Sequence, residues 1–289
     1  MPLNHACLGK IYPPITTEVT LDALQNYARA CNDANPRFFD AAAPGGILAP
    51  PMFAVVVTWL SVITAMTDAD LRADLLRLLH VAQDIEFLAP IRPGDSITSI
   101  GKVASIESHQ NGETMALELH AHNARGAAVT RIVFTIFIRG RRATAAAPEP
   151  KPDDATPAND RLRSDPIVTV AQTIDADQTV RYAEASGDRN PIHVDANVAK
   201  MAGLPGIIVH GLCTMAFTAR AIVDGVCAGD PTRLARLAVR FSRPVLPGDT
   251  ITTRVWLAGD HDTRRVFTYE TTNRDGLAVI RDGLAEVSP

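Results

Sequence analysis

The sequence predicts a duplicated α+β fold: two antiparallel sheets, each wrapped on one long apolar helix, with the halves packed as a pseudo-dimer. Three observations carry this. First, the decapeptide YARACNDANP at Tyr27 returns as YAEASGDRNP at Tyr182, an offset of 155, and FLAPIRPGD at Phe87 returns as FSRPVLPGD at Phe241, an offset of 154. Two matches in the same order at nearly one spacing mark an internal duplication. Second, each half contains an apolar run of helical length followed by four strand-like stretches with turn signals between them. Third, an antiparallel sheet must cover one face with something apolar, and the long helix is the available cover.

In order along the chain, residues 9–19 carry β-branched side chains and two prolines, which suits an edge strand. Thr20 is placed to cap a helix with Leu21, Leu24, Tyr27, Ala28 and Cys31 at helical spacing, and Asn35-Pro36 ends it. A Pro/Gly-rich connector, 44–51, leads to the apolar helix 52–66, and a charged helical turn spans about 70–79. Strands are predicted at 81–88, 96–107, 113–124 and 127–138. Residues 141–165, rich in Ala, Pro and charge without hydrophobic period, read as a linker between an N-terminal unit, 1–140, and a C-terminal unit, 166–289. The programme then repeats: a β-like run at 167–174, a helix from about Asp175 with capping-box spacing to Gln178, an apolar helix at 211–226, and strands near 233–242, 250–259, 264–273 and 276–287.

Composition narrows the partners. The net charge of −4, from 28 basic and 32 acidic residues mixed along the chain, leaves no electrostatic footprint for nucleic acid or an anionic membrane. The longest apolar run, 52–66, is short of the roughly 20 residues a bilayer-spanning helix needs. Cys7, Cys31, Cys213 and Cys227 have no zinc-type or C-x-x-C spacing, and no leader sequence precedes them, so they read as reduced thiols of a cytoplasmic protein acting on a small molecule.

The chemistry concentrates in 182–211. Asp188 and His193 straddle Asn190-Pro191, so they belong to a turn, and a turn can aim a carboxylate and an imidazole into one pocket for general acid–base work. The plainer alternative has Asp188 capping the turn and His193 packing. Gly211 opens the second apolar helix, whose free amides form a place to stabilise an oxyanion; the plainer alternative is a glycine required by crowding. His193, Asp195 and His210 offer metal donors in a weak pattern, and no metal is expected. Cys213, close to that helix start, is read as a packing residue rather than a nucleophile.

The run YAEASGDRNPIHVD from Tyr182, continued by Ala199, Gly203 and the Ile208-Val209-His210-Gly211 segment, resembles the MaoC-like, or R-specific type 2, enoyl-CoA hydratases. The first half resembles the N-terminal dehydratase domain of double hot-dog members of that family. The resemblance implies a double hot-dog fold and Asp188 and His193 as catalytic dyad, with the Gly211 amide in the oxyanion hole. It implies hydration of trans-2-enoyl thioesters to (3R)-3-hydroxyacyl thioesters, or the reverse, without a cofactor. Asn190, Ile208, His210, Pro50, Met52 and Phe53 are the expected substrate-binding residues, and a homodimer of double hot-dogs is the expected assembly. The substrate carrier, CoA or acyl carrier protein, stays open, with Arg181, Arg240 and Arg243 as candidate phosphate contacts. A hot-dog thioesterase and a non-catalytic acyl-binding subunit are the rival readings.

The two halves differ where the chemistry sits. Asp188 corresponds to Asp33, but His193 corresponds to Phe38, and His210-Gly211 to Pro50-Pro51. Proline has no amide hydrogen, so the first half is expected to be catalytically silent.

Overall fold

The computed structural model describes residues 2–140 and 165–289; most of the predicted linker therefore lies outside the described residues. The first half contains β1 (Ile15–Glu18), α1 (Leu21–Ala30), α2 (Ala54–Met66), β2 (Leu78–Phe87), β3 (Ser96–His109), β4 (Gly112–Asn123) and β5 (Ala128–Arg139). The second contains β6 (Val168–Thr173), α3 (Gln178–Ser186), α4 (Ala196–Met201), α5 (Gly211–Val226), β7 (Leu234–Phe241), β8 (Thr250–His261), β9 (Arg264–Thr272) and β10 (Ala278–Val287).

The predicted two sheets are continuous with each other. The strand order β1-β3-β4-β5-β2-β7-β10-β9-β8-β6 is a single antiparallel sheet of 10 strands, and it reads as the same five-strand order run outward in both directions from the β2–β7 seam. At that seam Ala82 pairs with Arg240 and Glu86 with Arg236, so residues related by the duplication lie symmetrically about its centre. On the polar face of the seam the Arg236 guanidinium donates to both carboxylate oxygens of Asp84, at 2.9 and 2.7 Å, and to Glu286 at 3.1 Å. Glu286 also accepts from Arg264 at 2.9 Å, and on the first-half side Arg131 joins Glu86 to Glu118 at 2.9 and 2.8 Å. With both partners about a third exposed, the Arg236–Asp84 fork contributes on the order of 1 kcal/mol.

The apolar face of each half wraps its long helix. On α5, eleven of the residues from Leu212 to Val223 are buried, including Phe217 and Ile222, and the helix touches β6, β7, β8 and β10. Helix α2 packs on β1, β3 and β4, where its Ser61 hydroxyl meets that of Ser99 at 2.7 Å, pairing the polar atoms that this contact buries. The short helices α1 and α3 pack on each other across the pseudo-two-fold. Their duplicated tyrosines meet there: Tyr27 and Tyr182 are fully buried, with ring centroids 5.7 Å apart and hydroxyls at 3.4 Å.

Three local expectations change. The edge strand predicted over 9–19 shrinks to β1 plus a single bridge from Ile11 to Lys102, because Pro13 and Pro14 between them have no amide to pair. The charged turn at 70–79 yields only a 3-10 turn, Leu75–Arg77, and β2 starts at Leu78, earlier than predicted. The residue before helix α3 is Asp177, not Asp175, and its side chain makes no capping bond; half of the predicted capping box survives, with the Asp175 amide donating to Gln178 Oε1 at 3.2 Å, while the Asp175 carboxylate turns to Arg181 and Asn32.

Candidate active site

Helix α3 ends at Gly187, whose φ of 80° is the left-handed cap conformation that glycine adopts without a Cβ penalty. The chain then turns through Asp188, Asn190 and a 3-10 turn, Pro191–His193. Asp188 Oδ1 accepts from the Asn190 amide at 3.2 Å, and Asn190 Oδ1 from the Ile192 amide at 3.4 Å. The same two bonds exist in the first half, Asp33 to the Asn35 amide at 3.1 Å and Asn35 to the Arg37 amide at 3.0 Å. The capping role of Asp188 is therefore present, and the carboxylate keeps a second oxygen for other work.

The loop is held from across the molecule. Trp59 of α2 donates its indole N–H to the Gly187 carbonyl at 3.1 Å, and a Cβ on Gly187 would stand 3.3 Å from the Trp59 ring. The counterpart contact runs the other way, from the Arg220 guanidinium of α5 to the Asn32 carbonyl. Each half thus steadies the other's turn, which neither sequence half reveals alone.

His193 is buried, and its Nδ1–H donates to the Ile208 carbonyl at 2.8 Å. A carbonyl only accepts, so this bond fixes the tautomer and leaves Nε2 with the lone pair. His210 is 1% exposed and donates Nε2–H to the Asp188 carbonyl at 3.0 Å, while its Nδ1 has no hydrogen-bond partner. The two imidazoles stack at 3.8 Å with 26° between planes, and Tyr182 lies against His210 at 4.9 Å. A ladder of rings thus runs from Phe53 through Tyr27, Tyr182 and His210 to His193.

Burial sets the proton affinities. It raises the Asp188 carboxyl above its ordinary range, opposed by the neighbouring His193 and by the Asn190 amide. It lowers His193, opposed by the Ile208 carbonyl and by Asp188. Acid and base are driven towards each other in affinity, the condition under which one takes a proton and the other returns one readily. His210 is lowered to about 3, first by burial and then by His193, so it stays neutral at physiological pH.

Gly211 is the first residue of α5, and its amide has no acceptor within its own helix. The crowding alternative also applies: a Cβ there would come within 3.2 Å of the Phe241 ring. At the counterpart, Ala49 donates to Ile91 as Val209 donates to Val245, both at 2.8 Å, so the two connectors correspond in register and Pro51, opening a 3-10 turn, stands at the position of Gly211.

One donor atom each of Asp188, His193 and His210 lies within 4.8 Å of the other two. Asp195, in the trio read from sequence, is elsewhere engaged, capping α4 by accepting from the Asn197 and Val198 amides. Each ring gives one nitrogen to a backbone carbonyl and keeps one, Nε2 on His193 and Nδ1 on His210, beside the Asp188 carboxylate.

The remaining expected residues divide. Ile208 and His210 abut the dyad, and Asn190 frames its turn. Pro50 lines a pocket of the first half, whereas Met52 and Phe53 are 1% exposed and belong to the core; Phe53 reaches the site only through the ring ladder. Cys213 is fully buried, as a packing residue would be. Of the candidate phosphate contacts, Arg181 is committed to Asp175, Asp177 and the Arg29 carbonyl, and Arg243 donates to the Ala278 carbonyl. Arg240, more than half exposed and only 4.0 Å from Asp282, is the least engaged.

Comparison with known proteins bears on the whole chain. A family model for the MaoC like domain matches residues 158–276, and one for a FAS1-like dehydratase domain region matches 6–132. The chain is 30% identical over 217 residues to a probable enoyl-CoA hydratase 2 of Dictyostelium discoideum, covering 75% of this chain and 72% of that protein. The chain belongs to the MaoC-like dehydratase family. A MaoC-like dehydratase from Phytophthora capsici superposes with TM-score 0.79 at 23% identity, over 100% of this chain and 98% of that one. A Mycobacterium tuberculosis protein described as having a double hot-dog fold superposes with TM-score 0.64 at 12% identity, over 99% and 98%. The architecture of this MaoC-like chain is accordingly the double hot-dog, and among its described residues no helix is long and apolar enough to cross a membrane.

Proposed function

We propose that this chain catalyses the reversible addition of water to trans-2-enoyl thioesters, giving (3R)-3-hydroxyacyl thioesters, with Asp188, His193 and the Gly211 amide as the working groups. The observation that carries the reading is the pairing of Asp188 with a tautomer-fixed, buried His193 beside the first amide of α5. The name of the D. discoideum relative, an enoyl-CoA hydratase 2, supports the same class.

The thioester carbonyl accepts from Gly211 N–H, which stabilises the enolate-like oxygen as charge develops on it. His193 Nε2, a lone pair held in place by the Ile208 bond, and the raised carboxyl of Asp188 hold one water between them. One of them removes a proton from that water as its oxygen bonds C3, and the other delivers a proton to C2 on the same face. Dehydration runs the steps in reverse. The first half retains Asp33 and Asn35, but Phe38 has no proton to exchange and Pro51 has no amide to donate. It contributes Trp59 and the ring ladder instead, and its own turn is silent.

The four thiols, all free and buried, accord with a reducing, cytoplasmic setting. The test is incubation with crotonyl-CoA and longer enoyl-CoAs, following loss of the enoyl absorbance and release of free CoA separately. Alkene loss with the thioester intact is the expected result. CoA release without alkene loss would replace the hydratase reading by a thioesterase, and no change with any thioester would leave a binding subunit.

A further inference from the structure

The duplication supplies an internal control for the space beside Gly211. In the first half, next to the counterpart prolines Pro50 and Pro51, a pocket of about 80 Å³ lies against Phe87 and Leu234. The catalytic half has the same backbone but different side chains there. Phe241 stands where Phe87 stands, by the offset of 154. His80 replaces Leu234 at the same spacing. Gln83 pairs with Phe134 on β5, and its counterpart Leu237 pairs with Ala285 on β10, so Phe134 replaces Ala285.

These replacements fill the space. The His80 ring lies 4.1 Å from Phe134 and 4.9 Å from Phe241, and the Phe241 ring in turn lies against Gly211. His80 is not a swinging group: its Nε2 is held by the Ala82 carbonyl at 3.1 Å and Gln83 Oε1 at 3.0 Å. It reaches the inner face through a bulge in β2 between His80 and Ala82; without that extra residue, strict alternation would turn it to the outer face. A bulge at the matching place on β7, where the pairing with β10 shifts between Glu286 and Val287, brings Leu234 inward in the same way.

We infer that His80 and Phe134, both from the non-catalytic half, form the end wall of the acyl site beside Gly211 and restrict the enzyme to short acyl chains. This rests on the hydratase reading. An apolar pocket discriminates by room for methylenes, and where Leu234 lines open space in one half, His80 backed by Phe134 stands in the other.

The experiment measures kcat/KM of the full chain for four-, eight- and twelve-carbon trans-2-enoyl-CoAs, for the wild type, Phe134→Ala, His80→Leu and the counterpart control Leu234→Ala. The wild type is expected to favour the four-carbon substrate by about tenfold or more over the eight-carbon one. Phe134→Ala and His80→Leu are each expected to shift the eight-to-four-carbon ratio by about tenfold towards the longer chain, while Leu234→Ala leaves the ratio where it was. His80→Leu installs the residue that the other half tolerates at the same place, so the test survives if Phe134→Ala fails to fold. Hydration with a wild-type preference for twelve carbons, or a ratio unmoved by the folded variants, overturns this inference alone. No hydration of any chain length overturns the hydratase reading, and the inference with it.

Discussion

Replacing Asp33 by asparagine should make the protein more stable at neutral pH while leaving turnover intact. Burial lifts the Asp33 carboxyl from 3.8 to about 6, opposed by the Asn35 amide and by Arg220. A raised carboxyl binds its proton more tightly in the folded chain than in the unfolded one. Its favourable contribution is therefore complete below 3.8 and is lost as pH rises through about 6. Above that window the folded state carries an ionised group in poor surroundings, a cost of roughly 3 kcal/mol at about 1.4 kcal/mol per pH unit. Partial access of Asp33 to water brings this nearer to about 2 kcal/mol. Asparagine keeps the oxygen that accepts from the Asn35 amide and removes the charge. Urea denaturation of wild type and Asp33→Asn at pH 7.5 and pH 4 should show the variant ahead by about 2 kcal/mol at the higher pH and by well under 1 kcal/mol at the lower. The same substitution at the duplicate position, Asp188→Asn, should also stabilise at pH 7.5, because burial raises that carboxyl too, but should reduce turnover by about 100-fold or more. An Asp33→Asn variant less stable at pH 7.5, or a loss of turnover matching that of Asp188→Asn, would refute the reasoning.

Other outcomes follow from the same geometry. Gly211→Pro removes the amide while placing proline at a first helical position, which Pro51 occupies at the counterpart; kcat should fall by about 100- to 1,000-fold, and circular dichroism should still report the native helix content. Trp59→Phe deletes the bond to the Gly187 carbonyl across the halves; a loss of about 1 kcal/mol in the thermal melt should come with a lower kcat at little-changed KM, since the Asp188 turn loosens. Arg236→Ala strips Asp84 and Glu286 of their shared cation at the seam, and urea titration at low salt should show a loss of about 1 kcal/mol that shrinks as salt is raised.

Much of this fold was legible in the sequence because the duplication fixed which features matter twice. Helix α5 begins and ends where the apolar run from Gly211 does, and the turns at 92–95 and 246–249 were announced by Pro-Gly-Asp. Helix α4 was missed, being six residues long with only the Asp195 cap to mark it. The candidate site was legible as residue types, Asp188 and His193 on one turn and Gly211 at the next long helix start. What was hidden lies across the two halves: Trp59 meets a residue 128 positions away, and His80 faces inward only because a bulge moves it there. Alternation of side chains, which sequence reading relies on, fails at such an insertion. Met52 and Phe53 are 1% exposed, and a buried helix start looks the same in sequence whether its side chains face a cavity or the core.

The most direct test of the central claim is the configuration of the product that the wild type and His193→Ala form from crotonyl-CoA. Stereospecific analysis should give (3R)-3-hydroxybutyryl-CoA from the wild type, and a rate reduced by about 100-fold or more from a His193→Ala variant with unchanged fold. A (3S) product, or a His193→Ala rate close to that of the wild type, would contradict the account.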